Sequence, residues 1–186
     1  NRLQGEKRAS TAAVNLLAVS KTRPAEEILA LYRLGQRDFG ENYLQEAIQK
    51  QQQLAHVDIN WHFIGPIQSN KTRDIARYFS WVHSIDRLKI AQRLDQQRPS
   101  NLPPLNACLQ VNIDGEQSKS GFKLDELGAA VEALKGLNNL CIRGLMAIPQ
   151  AGKSVNQQRA SFKKLADAKS SLNDQFKLNL DTLSRG

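Results

Sequence analysis

A lysine follows an apolar run near the start of the chain. Residues 14–19 are mostly apolar and partly β-branched, which is typical of a buried strand, and Pro24 then begins a helical pattern. Lys21 therefore lies at the carboxyl end of a strand, which is where parallel α/β folds bind ligands. A lysine amine forms imines with aldehydes, and burial beside the apolar strand would lower its pKa toward the reactive free base. By position alone, a solvent-facing lysine is the commoner alternative.

Several other side chains with useful chemistry stand near the ends of later apolar runs. They are Glu41, Asn42, Tyr43, His62, His83, Asn112, Met146 and Ser184. If the strands close into a barrel, these side chains converge on one pocket at its rim. The three histidines, at positions 56, 62 and 83, do not have the close spacing of a zinc motif, so the sequence does not favour a metal site.

Strand-like and helix-like patterns alternate along the whole chain. The strands are predicted at 14–21, 37–41, 61–67, 81–85, 107–113, 141–148 and 180–184. Strict alternation implies a parallel sheet with right-handed crossovers. No Gly-x-Gly-x-x-Gly follows any strand, which argues against an open dinucleotide-binding sheet. The predicted fold is an α/β parallel (β/α)8 barrel of the TIM type.

Length and composition fit one barrel domain. The chain has 186 residues, whereas such barrels typically need about 250. We therefore expect a single domain over 1–186, with the eighth βα unit outside the printed sequence. No apolar run approaches the roughly 20 residues of a membrane-spanning helix, so we expect a soluble, cytoplasmic protein. Cys108 and Cys141 both lie in apolar runs and are expected to be reduced thiols in the core.

The net charge of +8 makes the chain basic. This charge favours an anionic partner, which could be a nucleic acid or a small anionic ligand. The basic residues are scattered among the helices, and no basic stretch is interleaved with aromatic residues that would stack on bases. Nucleic-acid binding, which would be sensitive to salt, therefore stays an alternative rather than the main hypothesis.

Six strings, taken in order, resemble the pyridoxal phosphate homeostasis protein family. They are Leu-Leu-Ala-Val-Ser-Lys-Thr at 16–22, Phe-Gly-Glu-Asn-Tyr at 39–43, Trp-His-Phe-Ile-Gly-Pro at 61–66 with Gln-Ser-Asn-Lys at 68–71, Ser-Lys-Ser-Gly at 118–121, Arg-Gly-Leu-Met-Ala-Ile-Pro at 143–149 and Asp-Thr-Leu-Ser at 181–184. Each string alone is weak evidence. Their common order from about residue 15 to residue 184 makes the resemblance specific.

The resemblance implies a fold similar to the barrel domain of alanine racemase. It also implies that pyridoxal 5′-phosphate (PLP) is held as an imine on Lys21. Asn42, Met146 and Ser184 match positions that line the cofactor pocket in the family, and Lys119 matches a lysine in a flexible loop associated with excess cofactor. After Ser184 the family continues with a Gly-Met-Ser string and an Arg-x-Gly string that hold the PLP phosphate, and the printed sequence ends before them.

Family members control free PLP and its delivery rather than catalyse a reaction. The resemblance therefore implies no catalytic residue, PLP-dependent apo-enzymes as partners, and a monomer. A PLP enzyme such as an amino-acid racemase is an alternative, because it would begin from the same lysine imine. Such an enzyme also needs an acid or base on the other face of the cofactor, and no residue at the strand ends is a good candidate for that role.

Overall fold

Seven parallel strands form the frame of the described part of the chain. The computed structural model describes residues 14–116, 119–150 and 152–185. The strands are β1 (Ala18–Val19), β2 (Asp38–Glu41), β3 (Asn60–Phe63), β4 (Trp81–Ile85), β5 (Leu105–Gln110), β6 (Leu140–Ala147) and β7 (Thr182–Arg185). The helices are α1 (Ala25–Arg33), α2 (Leu44–Gln53), α3 (Thr72–Tyr78), α4 (Leu88–Gln97), α5 (Leu127–Leu134) and α6 (Val155–Phe176), with 3-10 turns at Ser69–Lys71 and Leu124–Glu126.

The strands lie side by side in chain order, and each is parallel to the next. A doubly wound open sheet would instead reverse its strand order part-way across. The sheet is also curled, because His83 on β4 and Ser184 on β7 are joined by a side-chain hydrogen bond of 2.7 Å. In a flat sheet these strands would be three spacings, or roughly 14 Å, apart. The predicted parallel α/β barrel class is confirmed, with no eighth strand within the described residues.

The two sides of the sheet have different chemistry. One side packs against the helices and forms the apolar core, which includes Phe39, Val82, Leu109 and Leu145 from the strands and Ile28, Ile75, Ile90 and Leu165 from the helices. Successive side chains on a strand point to opposite sides, so the alternate positions face the barrel interior. Met146 and Cys108 are buried but lie outside the apolar cluster, and the side chains of Asp38, His62, His83 and Ser184 lie on the same interior side.

Helix α6 shows how local sequence sets an element boundary. The Ser154 hydroxyl accepts a hydrogen bond from the Gln157 N–H, and the Gln157 side chain accepts one from the Ser154 N–H. This reciprocal pair is a capping box, which satisfies two of the free N–H groups at a helix start. The helix ends at Lys177, whose φ of +54° is left-handed. Among the described helices, none has both the length and the hydropathy to cross a membrane.

Two sequence expectations need correction. The first strand was predicted over 14–21, but β1 covers only Ala18–Val19, and within the described residues it pairs only with β2. Cys141 was expected in the core, but it is exposed near the start of β6. An apolar run does not reveal which of its positions the neighbouring elements cover. Cys108 is buried as expected, and burial raises the pKa of its thiol to about 12.

Candidate functional site

The structure brings all four predicted site residues to the same edge of the sheet. Lys21 follows β1, Asn42 follows β2, and Met146 and Ser184 lie next to the last residues of β6 and β7. Met146 and Ser184 are also paired in register on neighbouring strands. Within the described residues, no side-chain hydrogen bond joins any two of the four, so they share a rim without forming a bonded cluster.

Lys21 lies in a tight turn that is exposed rather than buried. The Arg23 N–H closes the turn by donating to the Ser20 carbonyl at 3.0 Å. Thr22 has a φ of +63°, which is unusual for a β-branched residue. Of the two sequence alternatives for Lys21, the solvent-facing one applies, because β1 ends before the lysine and leaves it on a loop. No described residue makes a hydrogen bond or ion pair with its amine.

The buried ammonium group of Lys50 fixes the start of this turn. Lys50 on α2 donates to the Ser20 carbonyl at 2.7 Å, to Glu41 Oε1 at 2.8 Å and to Glu46 Oε1 at 2.5 Å. The Ser20 hydroxyl also donates to Glu41 Oε1 at 2.6 Å. Glu41 is fully buried and Lys50 nearly so. Because a buried charge is tolerated only when it is paired, these residues fix one another and fix the end of β1.

Glu46 connects this buried group to the turn itself. Its Oε1 accepts from the Thr22 N–H at 2.6 Å as well as from Lys50. Burial tends to raise the pKa of Glu46, but the hydrogen bonds from Lys50 and Thr22 outweigh burial and lower that pKa. Glu46 therefore stays ionised and holds the strained backbone at Thr22. We call Ser20, Glu41, Glu46 and Lys50 the lysine clamp.

The end of β3 is packed tightly against Asn42. A Cβ atom on Gly65 would lie 2.4 Å from the Asn42 carbonyl oxygen and 2.5 Å from its side-chain oxygen, so only glycine fits there. The Ser84 hydroxyl donates to the Gly65 carbonyl at 2.5 Å from the other side. Asn42 is thus held at the rim by backbone packing, and Ser84 is a supporting residue that the sequence did not single out.

A chain of hydrogen-bonded side chains crosses the barrel interior. Asp38 Oδ1 is 3.2 Å from His62 Nε2, His62 Nδ1 is 2.8 Å from His83 Nε2, and His83 Nδ1 is 2.7 Å from Ser184 Oγ. The His62 ring stacks on Trp81, with centroids 5.5 Å apart and planes 8° from parallel. We call Asp38, His62, His83 and Ser184 the interior chain. The structure brings His62, His83 and Ser184 together, as expected, whereas Asp38 was missed because it begins β2 instead of ending it.

Both imidazoles of the interior chain are buried, which disfavours their charged forms. Burial lowers the pKa of His62, although Asp38 opposes this effect. Burial, and the neighbouring His62 in addition, lower the pKa of His83 to about 3. Both rings are therefore neutral near pH 7.

Lys119 lies in the loop between β5 and α5 and is half-buried. Its ammonium pairs with Glu116 at 2.7 Å and is 3.5 Å from the Ile148 carbonyl oxygen. Asn112 braces the same loop, because its side-chain amide donates to the carbonyls of Glu116 at 2.7 Å and of Lys119 at 3.2 Å. Unlike Lys21, Lys119 has its charge engaged.

Comparison with known proteins identifies the relatives of this chain. Residues 2–184 match the family model described as the N-terminal domain of alanine racemase. The pyridoxal phosphate homeostasis protein of Pseudomonas aeruginosa is 59% identical over 175 residues, which are 94% of this chain and 74% of that protein. The chain belongs to the pyridoxal phosphate homeostasis protein family. The family member of the same name from Escherichia coli K12 is 48% identical over 176 residues, covering 93% of this chain and 75% of that protein.

Solved structures of the family extend the match to three dimensions. PipY of Synechococcus elongatus without PLP has a TM-score of 0.88 at 39% identity, covering 93% of this chain and 81% of PipY. The PipY structure with PLP bound has a TM-score of 0.83 at 37% identity, covering 91% of this chain and 80% of PipY. Alanine racemase of Clostridium difficile has a TM-score of 0.68 at 14% identity, over 91% of this chain and 50% of the racemase, and so shares the fold.

The lysine clamp predicts a large stability effect at Lys50. The Lys50→Met variant should lose about 3–5 kcal/mol of unfolding free energy in urea denaturation, because the Glu41 carboxylate would stay buried without its ammonium partner. Lys163→Met is the matched control. Its ammonium pairs with Asp167 in an exposed position at 2.9 Å, so the change should be below about 0.5 kcal/mol.

Removing both charges of the buried pair completes this test. The Glu41→Leu, Lys50→Met double variant should be more stable than Lys50→Met alone, because no fully buried carboxylate is then left without its ammonium partner. Equal losses for Lys50→Met and Lys163→Met would contradict the clamp.

The interior chain predicts a loss of stability in mild acid. The histidine of an unfolded chain titrates near 6.5, whereas the pKa of folded His83 is about 3, so only the unfolded state takes up this proton between these values. Unfolding free energy should therefore fall as the pH drops below 6.5, by up to about 1.4 kcal/mol per pH unit for this residue. His83→Gln should reduce that slope, and His56→Gln, at an exposed position, should keep it. Identical slopes for both variants would refute the assignment.

Proposed function

We propose that this chain binds PLP and serves in PLP homeostasis, with Lys21 as the residue that reacts with the aldehyde. The observation that carries the proposal is the contrast between two lysines beside the end of β1. Lys50 has three oxygen partners within 2.8 Å and is held as an ammonium. Lys21 is exposed at the rim, with no described partner for its amine. Relatives named for PLP homeostasis, and PipY solved with PLP, support the same proposal.

The lysine clamp supports the placement of Lys21. The Ser20 hydroxyl reaches Glu41 on the helix-facing side of the sheet. The Ser20 N–H still donates to the Gly40 carbonyl at 2.9 Å, so the β1–β2 pairing continues up to the turn. The backbone that leads to Lys21 is therefore fixed, whereas the lysine side chain has no described contact.

The remaining residues of the proposed pocket have complementary chemistry. Met146 offers a polarisable thioether suited to contact with a flat ring, and Asn42 and Ser184 offer polar groups that orient a ligand. The net charge of +8 attracts a phosphate-bearing anion over longer distances. When bound, PLP supplies an aldehyde that reacts with primary amines. Lys21 would hold PLP through its primary amine, which would serve as the nucleophile toward that aldehyde.

The role proposed for this site is to hold PLP, with no turnover. A PLP racemase needs a free acid or base beside the cofactor. The two imidazoles of the interior chain have hydrogen-bond partners on both ring nitrogens, so neither is available for that role. Lys119 is paired with Glu116, so it is less reactive than Lys21 and would react with PLP only when the cofactor is in excess.

The remaining proposals follow the family. We propose one PLP-binding domain over 1–186, PLP-dependent apo-enzymes as recipients of the cofactor, a monomeric state and a cytoplasmic location. Some of the described cations are engaged in local ion pairs, such as Lys153 with Asp114 and Arg143 with Asp181.

The absorbance of bound PLP tests the lysine assignment. Lys21→Ala should abolish the visible absorbance that develops when equimolar PLP is added, because the covalent attachment is lost. Lys119→Ala and Lys163→Ala, which remove other lysines, should retain that absorbance. Circular dichroism should show Lys21→Ala to be folded, since the Lys21 side chain has no described contact to lose.

Two outcomes would contradict the proposal. Undiminished absorbance of Lys21→Ala would show that another lysine carries the cofactor. Sustained racemisation of alanine by the PLP-loaded wild-type protein would overturn the non-catalytic role.

A further inference from the structure

The hydrogen bonds of the interior chain all run in one direction. This direction decides whether the Ser184 hydroxyl acts as a hydrogen-bond donor or acceptor toward the pocket. Its four side chains lie on β2, β3, β4 and β7 and are joined end to end by contacts of 3.2, 2.8 and 2.7 Å. Each contact needs one donor and one acceptor. The assignment of donors along the chain can be worked out from the end at Asp38.

An aspartate carboxylate only accepts hydrogen bonds, so His62 Nε2 must carry the proton that it donates to Asp38. A neutral imidazole has one N–H, which leaves His62 Nδ1 as an acceptor. His83 Nε2 must then donate to His62 Nδ1, and His83 Nδ1 becomes an acceptor in turn. The Ser184 O–H therefore donates to His83 Nδ1, and its single proton is used inside the protein.

Reversing the direction is disfavoured at the Asp38 end. If Ser184 donated its proton to a ligand, His83 and His62 would both have to change tautomer. His62 Nε2 would then face the Asp38 carboxylate as a second acceptor at 3.2 Å, unless an additional proton entered the chain. Burial of both rings keeps them neutral and disfavours that additional proton.

Two neighbours hold the chain in this geometry. Asn60 Nδ2 donates to Asp38 Oδ1 at 3.1 Å, which stabilises the carboxylate as an acceptor. Trp81 stacks on the His62 ring and is itself covered by the Arg143 guanidinium, 5.2 Å from the ring centroid. The ring plane of His62 is thus set by packing and not only by its hydrogen bonds.

We propose that Asp38, acting through His62 and His83, fixes the Ser184 hydroxyl as a hydrogen-bond acceptor toward the pocket. The Ser184 hydroxyl then favours a ligand group that carries a proton, such as an N–H or O–H, and disfavours a ligand group that can only accept a hydrogen bond. Asp38, His62 and His83 are positioning residues in this scheme, because they act on the ligand through Ser184. The ligand part of the inference rests on the proposed PLP-binding function, whereas the direction of the chain does not.

Nuclear magnetic resonance of the ligand-free protein tests the direction. In long-range proton–nitrogen spectra near pH 7, both His62 and His83 should be Nε2–H tautomers. A nitrogen–nitrogen coupling should appear across the hydrogen bond between His83 Nε2 and His62 Nδ1. An Nδ1–H tautomer at either residue would overturn the proposal, whether or not the protein binds PLP.

The Ser184→Ala variant tests whether Asp38 or Ser184 sets the direction of the hydrogen bonds in the interior chain. Both tautomers should be unchanged in this variant, because Asp38 is still present. A switch of either ring to the Nδ1–H form would assign control to Ser184 and contradict the proposal.

A double-mutant cycle on PLP affinity tests the action on the ligand. Ser184→Ala and Asp38→Asn should each weaken PLP binding about tenfold, the worth of one hydrogen bond. The double variant should be no weaker than Ser184→Ala alone, because Asp38 acts only through that hydroxyl. Losses that multiply to about a hundredfold would instead indicate a separate structural role for Asp38 and would refute the relay.

Discussion

One buried ammonium group, that of Lys50, determines how the rim around Lys21 is built. The strand before Lys21 has only two residues and, in the described part of the chain, one neighbouring strand, so few backbone hydrogen bonds fix its end. Lys50 supplies what the strand lacks, because it joins the Ser20 carbonyl to carboxylates on β2 and α2. A buried charge with three oxygen partners cannot give up one partner cheaply, so the turn, β2 and α2 are fixed as one unit.

The two sides of the sheet have different roles, one in stability and the other in function. The helix-facing side carries the apolar core, while the interior side carries the polar chain from Asp38 to Ser184. Parallel barrels usually fill their interior with layers of branched apolar residues. A polar interior is tolerated here because each side chain of the interior chain is hydrogen-bonded to the next. A fully hydrogen-bonded network in a low-dielectric environment is rigid. It joins strands on opposite sides of the pocket.

Much of the fold could be predicted from the sequence, because alternating apolar periods and turn residues report directly on strands and helices. The strand count, the parallel order and the placement of Lys21, Asn42, Met146 and Ser184 at one edge follow from that pattern. Whether Lys21 is buried or solvent-facing could not be decided from the sequence, since it depends on where β1 stops.

The residues that sequence reasoning missed are those whose roles depend on three-dimensional neighbours. Lys50 looks like an ordinary helix lysine, yet it lies three positions after Ala47 and six after Leu44, on the buried stripe of α2. That spacing, with Glu41 inside the buried run of β2, was a usable signal for a buried pair. Asp38 gave no such signal, because it meets His62 only through the register of β2 and β3.

The central claim is that Lys21 is the reactive amine of the rim and that Lys50 beneath it is not. Borohydride reduction of the PLP-loaded protein, followed by proteolysis and mass spectrometry, tests this claim directly. At one equivalent of PLP, the reduced pyridoxyl group should be found on the peptide that contains Lys21. Its recovery mainly on a peptide that contains Lys50, Lys71 or Lys119 would contradict the account.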